Sequence, residues 1–192
     1  MEERKIVFAT NNMHKLEEVR QMFGPGLTVF SLKEIGCEED VPETGTSFRE
    51  NASIKSHYIY QRYGMDCFAD DSGLVVTALH GAPGIFSARY AGKNSSSAAN
   101  IEKLLHDLKD KQRREAHFRT VISLIIGGNE HFFEGIIPGS IRYSPSGTGG
   151  FGYDPIFQPE GYDVTFAEMT ADEKNRISHR AVAIQKLTAF LT

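Results

Sequence analysis

At 192 residues, 40% hydrophobic and 24% charged, the chain carries enough apolar material for one full core, and the expected organisation is a single domain over 1–192. A formal charge of -4 excludes the polycationic surface of a duplex-coating protein, so any polyanion must be held locally and no nucleic-acid partner is expected. The longest apolar run, 121–126, is broken by Ser123 and far too short to cross a bilayer, the start MEERKIVFA has no apolar signal core, and Cys37 and Cys67 stand apart from any Cys/His grouping; these exclude a membrane span, a disulfide scaffold and a structural zinc site, and the expected setting is cytoplasmic.

Lys5 to Ala9 reads as a short strand, after which Met13, Leu16, Val19 and Met22 recur at helical spacing until Gly24-Pro25-Gly26. Leu27 to Ser31 reads as a second strand, followed by an acidic loop ending in Pro42-Glu43-Thr44-Gly45. Ser47 and Glu50 form a capping-box pattern opening a helix to about Gly64, with Phe48, Ala52, Ile59 and also Lys55 on one face. Cys67 to Ala69 is strand-like and ends in Asp70-Asp71-Ser72-Gly73, with Leu74 to Leu79 as another strand. Beyond the Gly81-Ala82-Pro83-Gly84 turn, Ser95 to Ser97 cap a helix with an Ile101, Leu104, Leu105 and Leu108 stripe, and Lys109 to Glu115 reads as solvated loop. Phe118 to Ile126 and His131 to Ile137 flank Gly127-Gly128-Asn129-Glu130 as a β-hairpin. A glycine loop, Gly147 to Gly152, a capped turn at Thr170 to Glu173 and a last helix from Ser178, with Ala181, Ile184, Leu187 and Leu191 inward, complete the chain. The hairpin requires antiparallel pairing within an interleaved order, so the class is α/β or α+β with a mixed sheet.

Five groups could carry chemistry. Thr10-Asn11-Asn12-Met13-His14-Lys15 is a strand-to-helix junction where unpaired N–H groups, the helix dipole and Lys15 could hold phosphate; plain helix capping explains the same letters. Glu43 with Asp70-Asp71 before Ser72-Gly73 supplies hard oxygen donors of the kind Mg²⁺ takes, one or two at a time, whereas Asp-Ser-Gly is also turn chemistry. Adjacent strand carboxylates alternate sides, so one can face a metal while the other orients a water or is structural. Lys55 on a buried helix face needs an acid, a phosphate or a route to the rim. In Gly147 to Pro155, Phe151 or Tyr153 could stack on a base and Asp154 could accept from a base edge, or the aromatics simply pack inward. Lys174 and Ser178-His179-Arg180 gather basic groups that could bind phosphate or a purine carbonyl oxygen, or merely cap a helix.

Taken in order along nearly the whole chain, Thr10 to Lys15, Glu43-Thr44-Gly45 with Phe48 and Asn51-Ala52, Ala69 to Leu74, Gly81 to Tyr90, Gly147 to Pro155 and Ser178-His179-Arg180 resemble the inosine/xanthosine triphosphate pyrophosphatases. The resemblance implies Mg²⁺-dependent hydrolysis of ITP, dITP and XTP to monophosphate and pyrophosphate, which cleanses the nucleotide pool. It implies an elongated mixed α/β sheet flanked by helices, with two lobes and a central cleft, and a homodimer. By position, Thr10, Asn11, Asn12, Met13, His14, Lys15 and Lys55 would contact the triphosphate, and Glu43 and Asp71 would hold Mg²⁺. Asp71 would accept the proton, with Asp70 and Ser72 beside it. Phe151, Gly152, Tyr153, Asp154, Lys174, His179 and Arg180 would enclose the purine. Asn11 stands where the family commonly has glycine, and Asn tolerates the left-handed backbone. The alternatives are a Maf-type nucleotide pyrophosphatase, which the Phe-Gly-Tyr-Asp and Ser-His-Arg elements disfavour, and a non-catalytic purine-nucleotide sensor, which the intact acids disfavour.

Overall fold

The structure, a computed structural model, describes residues 4–23 and 26–191. It holds six strands and five α-helices among those residues: β1 (Arg4–Phe8), α1 (Met13–Met22), β2 (Leu27–Phe30), α2 (Phe48–Tyr63), β3 (Cys67–Val76), α3 (Ser97–Asp107), β4 (Glu115–Ile126), β5 (Asn129–Ile141), β6 (Phe157–Pro159), α4 (Ala171–Ile177) and α5 (His179–Leu191). The sheet order is β2-β1-β3-β4-β5-β6. It is mixed: β1 runs parallel to β2 (Ile6 opposite Val29) and to β3 (Val7 opposite Cys67), while β6 is antiparallel to β5 (Ile141 opposite Phe157). This is the α/β mixed sheet expected. Gly24 and Pro25, read as the stop of the first helix, lie outside the described residues.

The chain divides into two compact units, Met1–Asp71 with Thr120–Gly135 and Arg180–Thr192, and Ser72–Arg119 with Ile136–His179. In the first unit the period-2 alternation of the strands sorts side chains to two faces. Ile6, Phe8, Phe68, Ile122 and Leu124 pack with Leu16 and Val19 of α1 and Ala183, Ile184 and Leu187 of α5. Val7, Ala9, Cys67, Ala69 and Ile125 pack on the other face with Ile59 of α2. The second unit has its own core, in which Leu74, Val76, Phe118, Ile141 and Phe157 meet Ile101, Leu104 and Leu108 of α3.

Three local readings change. β3 runs unbroken through Asp70-Asp71-Ser72-Gly73, where a strand end was expected, and Thr77–Leu79 is a 3-10 turn instead of strand. Extended backbone survives there because each aspartate finds donors on its own face, as described below. The hairpin loop is only Gly127-Gly128, both at positive φ (54° and 82°), so β4 and β5 extend on either side to Glu115 and Ile141. The stretch before β4 is not simply solvated. Arg114 is buried and donates from Nε to the Ile141 carbonyl (2.7 Å), from Nη1 to that of Leu108 (3.3 Å) and from Nη2 to that of Arg142 (2.9 Å). One charged fork thereby satisfies three carbonyls where α3 ends and β5 runs out.

Arg114→Leu strips these three acceptors of their partner, and hydrogen bonds to a charged donor each contribute about 1.5–3 kcal/mol. The expected loss in urea unfolding is about 2–4 kcal/mol, and a loss under about 0.5 kcal/mol would show that the guanidinium does not hold this corner together.

Candidate active site

The first unit assembles the acidic and basic candidates. Asn12 ends the loop after β1 and caps α1, its side chain accepting from the Lys15 N–H (3.1 Å), while Thr10 Oγ1 accepts from the Asn12 N–H (3.1 Å). This places Lys15 in the first helical turn, where its Nζ donates to Asp70 Oδ1 (3.0 Å) and lies 2.9 Å from Oδ2. Asp70 shares the strand parity of Phe68 and so emerges toward α1 and α5, and Arg180 Nη2 lies 3.6 Å from its Oδ2. Arg180 also pairs through Nη1 with Glu18 of α1.

Asp71 has the opposite parity and emerges toward α2, where Asn51 Nδ2 donates to its Oδ2 (2.9 Å). α2 starts at Phe48 because the Ser47 side chain accepts from the Glu50 N–H. The expected box is only half formed, since the Glu50 carboxylate reaches back mainly to the Thr46 N–H (2.6 Å) and hydroxyl (2.8 Å). One turn beyond Asn51, Lys55 donates to Glu43 Oε1 (2.7 Å) and to the Asp70 carbonyl oxygen (2.6 Å).

Burial dominates the electrostatics. It lowers the Lys15 pKa despite Asp70, with the charges of Lys55 and Arg180 acting in the same direction. For Lys55 burial is outweighed by Asp70, Glu43 and Asp71 together, and its ammonium is held above the ordinary value. Burial lifts Asp71 to about 6, with Lys55 opposing the rise and Glu43 adding to it. An acid with this value changes charge close to neutrality, as a proton acceptor must.

The second unit gathers a different set. Lys174 is buried, 2.6 Å from Asp154 Oδ2, with its Nζ 4.7 Å above the Phe151 ring. Asp154 Oδ2 also accepts from the Phe151 N–H (2.8 Å), so this oxygen already serves two donors. The loop closes so tightly here that a Cβ on Gly150, at φ +68°, would fall 2.1 Å from Asp154 Oδ2. The His179 ring stacks on Phe118 at 4.7 Å and 11°.

A model described as the Ham1 family matches residues 6–190. The chain belongs to the Ham1 family. It is similar to a Porphyromonas gingivalis protein named dITP/XTP pyrophosphatase, 51% identical over 188 residues and 97% of each chain. A Flavobacterium johnsoniae protein of the same name is 48% identical over 188 residues and 98% of each chain. The solved structure of the Staphylococcus aureus Ham1 protein superposes with a TM-score of 0.89 at 44% identity, covering 98% of each chain.

Within this Ham1 chain, the structure brings Lys15, Lys55, Glu43, Asp70 and Asp71 into one network and places Phe151, Asp154, Lys174 and His179 in the second unit. Asn11, Met13 and His14 are exposed beside the start of α1, and Asn11 Nδ2 donates to Asp40 (3.2 Å). Positive φ among the described non-glycine residues occurs only at His80 and Asn94, so Asn11 needs no left-handed tolerance. Ser72 and Gly152 are half-buried, in β3 and in the glycine loop. Two expectations change. Arg180, expected beside the purine, pairs with Glu18 and Asp70 within the first unit, pointing about 100° away from His179 as consecutive helical residues do. Tyr153 is a core residue with its hydroxyl donated to the Ser87 carbonyl (2.8 Å), which removes its ring as a stacking surface. Asn51 and Glu18 were missed as functional candidates, although each stands one turn from a lysine, Lys55 and Lys15 respectively.

Among the described residues there is no group of three or more His, Cys, Asp or Glu that could hold a metal ion. A cation of the Mg²⁺ type asks for less, one or two carboxylates with water and phosphate in the remaining positions. Glu43 and Asp71 fit that requirement, since their mutual repulsion is a cost that a divalent cation relieves.

A carboxyl whose pKa rises on folding favours the native state below its unfolded value, near 3.8, and that advantage is lost as pH climbs through about 6. Asp71→Asn should therefore stabilise the metal-free protein, by about 1–3 kcal/mol at pH 8 and by much less at pH 4.5. Thermal unfolding in EDTA at both pH values reads this, and an equal shift at the two would contradict the burial of an ionised Asp71.

Proposed function

We propose that this chain hydrolyses non-standard purine nucleoside triphosphates, ITP, dITP and XTP, to the monophosphate and pyrophosphate, as one catalytic domain over 1–192. The observation that carries the reading is that two lysines from separate helices both rest on Asp70, Lys15 on its carboxylate and Lys55 on its carbonyl, beside the Glu43 and Asp71 carboxylates. Ammonium groups stored on acids, that of Lys15 in the first turn of α1, suit a triphosphate, whose oxygens can replace those acids. The names of the relatives support the substrate class, and the resemblance alone supports a homodimer and a cytoplasmic setting.

Glu43 and Asp71 would hold Mg²⁺, which when bound neutralises phosphate charge and makes a nearby water more acidic. Lys15 and Lys55 bind the triphosphate and offset the charge that builds on departing pyrophosphate. Asp71 takes the proton of the water that attacks the α-phosphorus. The bond from that phosphorus to the bridging oxygen breaks, and pyrophosphate leaves. Asp70 keeps Lys15 placed, and Arg180 with Glu18 keeps Asp70 placed. On the base, Phe151 offers a ring face and Lys174 and His179 offer donors to a 6-oxo group, which the 6-amino group of adenine would leave unpaired at about 1–3 kcal/mol each.

A panel of dITP, XTP, dATP and UTP, assayed for pyrophosphate with and without Mg²⁺, tests the reading. Release from dITP and XTP only when Mg²⁺ is present is expected, and equal release from UTP, or none from any, overturns it. Asp71→Asn should lower kcat by about 10²–10⁴ with the fold intact by circular dichroism. Phe151→Ala should raise KM for dITP by about tenfold, the loss of one stacked base, and an unchanged KM would make that ring structural.

A further inference from the structure

We propose that Asn51 is a positioning residue that holds the Glu43 loop and Asp71 at a fixed spacing through the two ends of its amide. This rests on the reading of Glu43 and Asp71 as the pair that receives the divalent cation. Two side chains of α2, one helical turn apart, each bridge the 43–45 loop and β3. Lys55 does so with an ammonium, to Glu43 Oε1 at 2.7 Å and the Asp70 carbonyl at 2.6 Å. Asn51 does so with a neutral amide: its Oδ1 accepts from the Gly45 N–H and its Nδ2 donates to Asp71 Oδ2, both at 2.9 Å.

The two bridges respond differently to substrate. The ionic one is broken from both ends, because a triphosphate competes for the Lys55 ammonium and a cation competes for Glu43. The amide bridge is fully buried, at 0% exposure, and it carries no charge for either ligand to compete for. Because the amide engages only Oδ2 of Asp71, a cation can take Oδ1 and leave the bridge standing, so that it keeps one carboxylate in register with the other when the site is loaded. The seat is close: a Cβ on Gly45 would lie 2.7 Å from Glu50 Cβ and 2.8 Å from Asn51 Oδ1, so the loop backbone rests directly on the amide. Only an amide offers one acceptor and one donor at this reach, since an ionised Asp donates nothing and Leu offers neither.

The test is Mn²⁺ titration of the nucleotide-free protein, with free ion read by electron paramagnetic resonance, together with the Mg²⁺ dependence of dITP turnover, for wild type and Asn51→Leu. Partners that orient metal-binding carboxylates typically contribute 10–100-fold. The expected result is an about tenfold or greater rise in both the Mn²⁺ dissociation constant and the half-saturating Mg²⁺ concentration, with KM for dITP at saturating Mg²⁺ within about threefold of wild type. A folded variant whose Mn²⁺ affinity and Mg²⁺ requirement stay within about twofold of wild type overturns the proposal. If the leucine variant does not fold, Asn51→Ala and Asn51→Gln are read by the same criterion; the glutamine keeps the chemistry but shifts it by a methylene, and wild-type behaviour in either overturns the idea. A wild type that binds Mn²⁺ but releases no pyrophosphate from dITP defeats the functional reading instead, and the Mn²⁺ comparison still decides the role of Asn51.

Discussion

Consecutive residues of an extended strand face opposite ways, and β3 places two ionisable residues, Asp70 and Asp71, in succession within a sheet that is covered on both faces. Each carboxylate then has to be answered on its own side. Asp70 meets Lys15 and Arg180 on the face packed by α1 and α5, and Asp71 meets Asn51 on the face packed by α2. The capped start of α1 and the phase of α2 read as the means by which those answers reach the strand.

The arrangement is costly as a scaffold and useful as a site. Buried ion pairs seldom repay the removal of their charges from water, and here Lys15 is pushed toward losing its proton and Asp71 toward keeping one. Both perturbations are eased by the ligands proposed for the site, an anionic triphosphate for the lysine and a cation for the carboxylates. The strain is thus concentrated where binding relieves it, and the surrounding apolar clusters of the first unit, with Ile6, Phe8 and Phe68 fully buried, hold the groups in place.

The second unit solves a similar problem with backbone. The Asp154 and Lys174 pair is buried beneath Phe151, and the loop carrying Phe151 closes over it because Gly150 has no side chain to obstruct Asp154. A second layer of polar closure braces it, in which Thr165 donates to the Ser146 carbonyl (2.8 Å) and the Glu168 carboxylate accepts from the Ser146 hydroxyl (2.7 Å) and the Thr165 N–H (2.7 Å).

Local signals made much of this legible in the sequence. The Asn12, Ser47, Ser96 and Thr170 caps stand where hydroxyl or amide residues precede helical periodicity, and Gly127-Gly128 marks the hairpin, because capping and turn chemistry are properties of a few adjacent residues. The ordered motifs also point to the family and to the residues that could bind phosphate, metal and base. What only the tertiary structure decided were choices made between distant segments: that β3 runs on through the aspartates, that Arg114 is a buried staple, that Arg180 turns to Asp70 while His179 turns to Phe118, that Tyr153 is core, and that Asn51 bridges a loop and a strand. A short window fixes hydrogen bonds along the chain, but the partner of a buried charge or amide is set by which element packs against it, and that is known only once the sheet and helices have met.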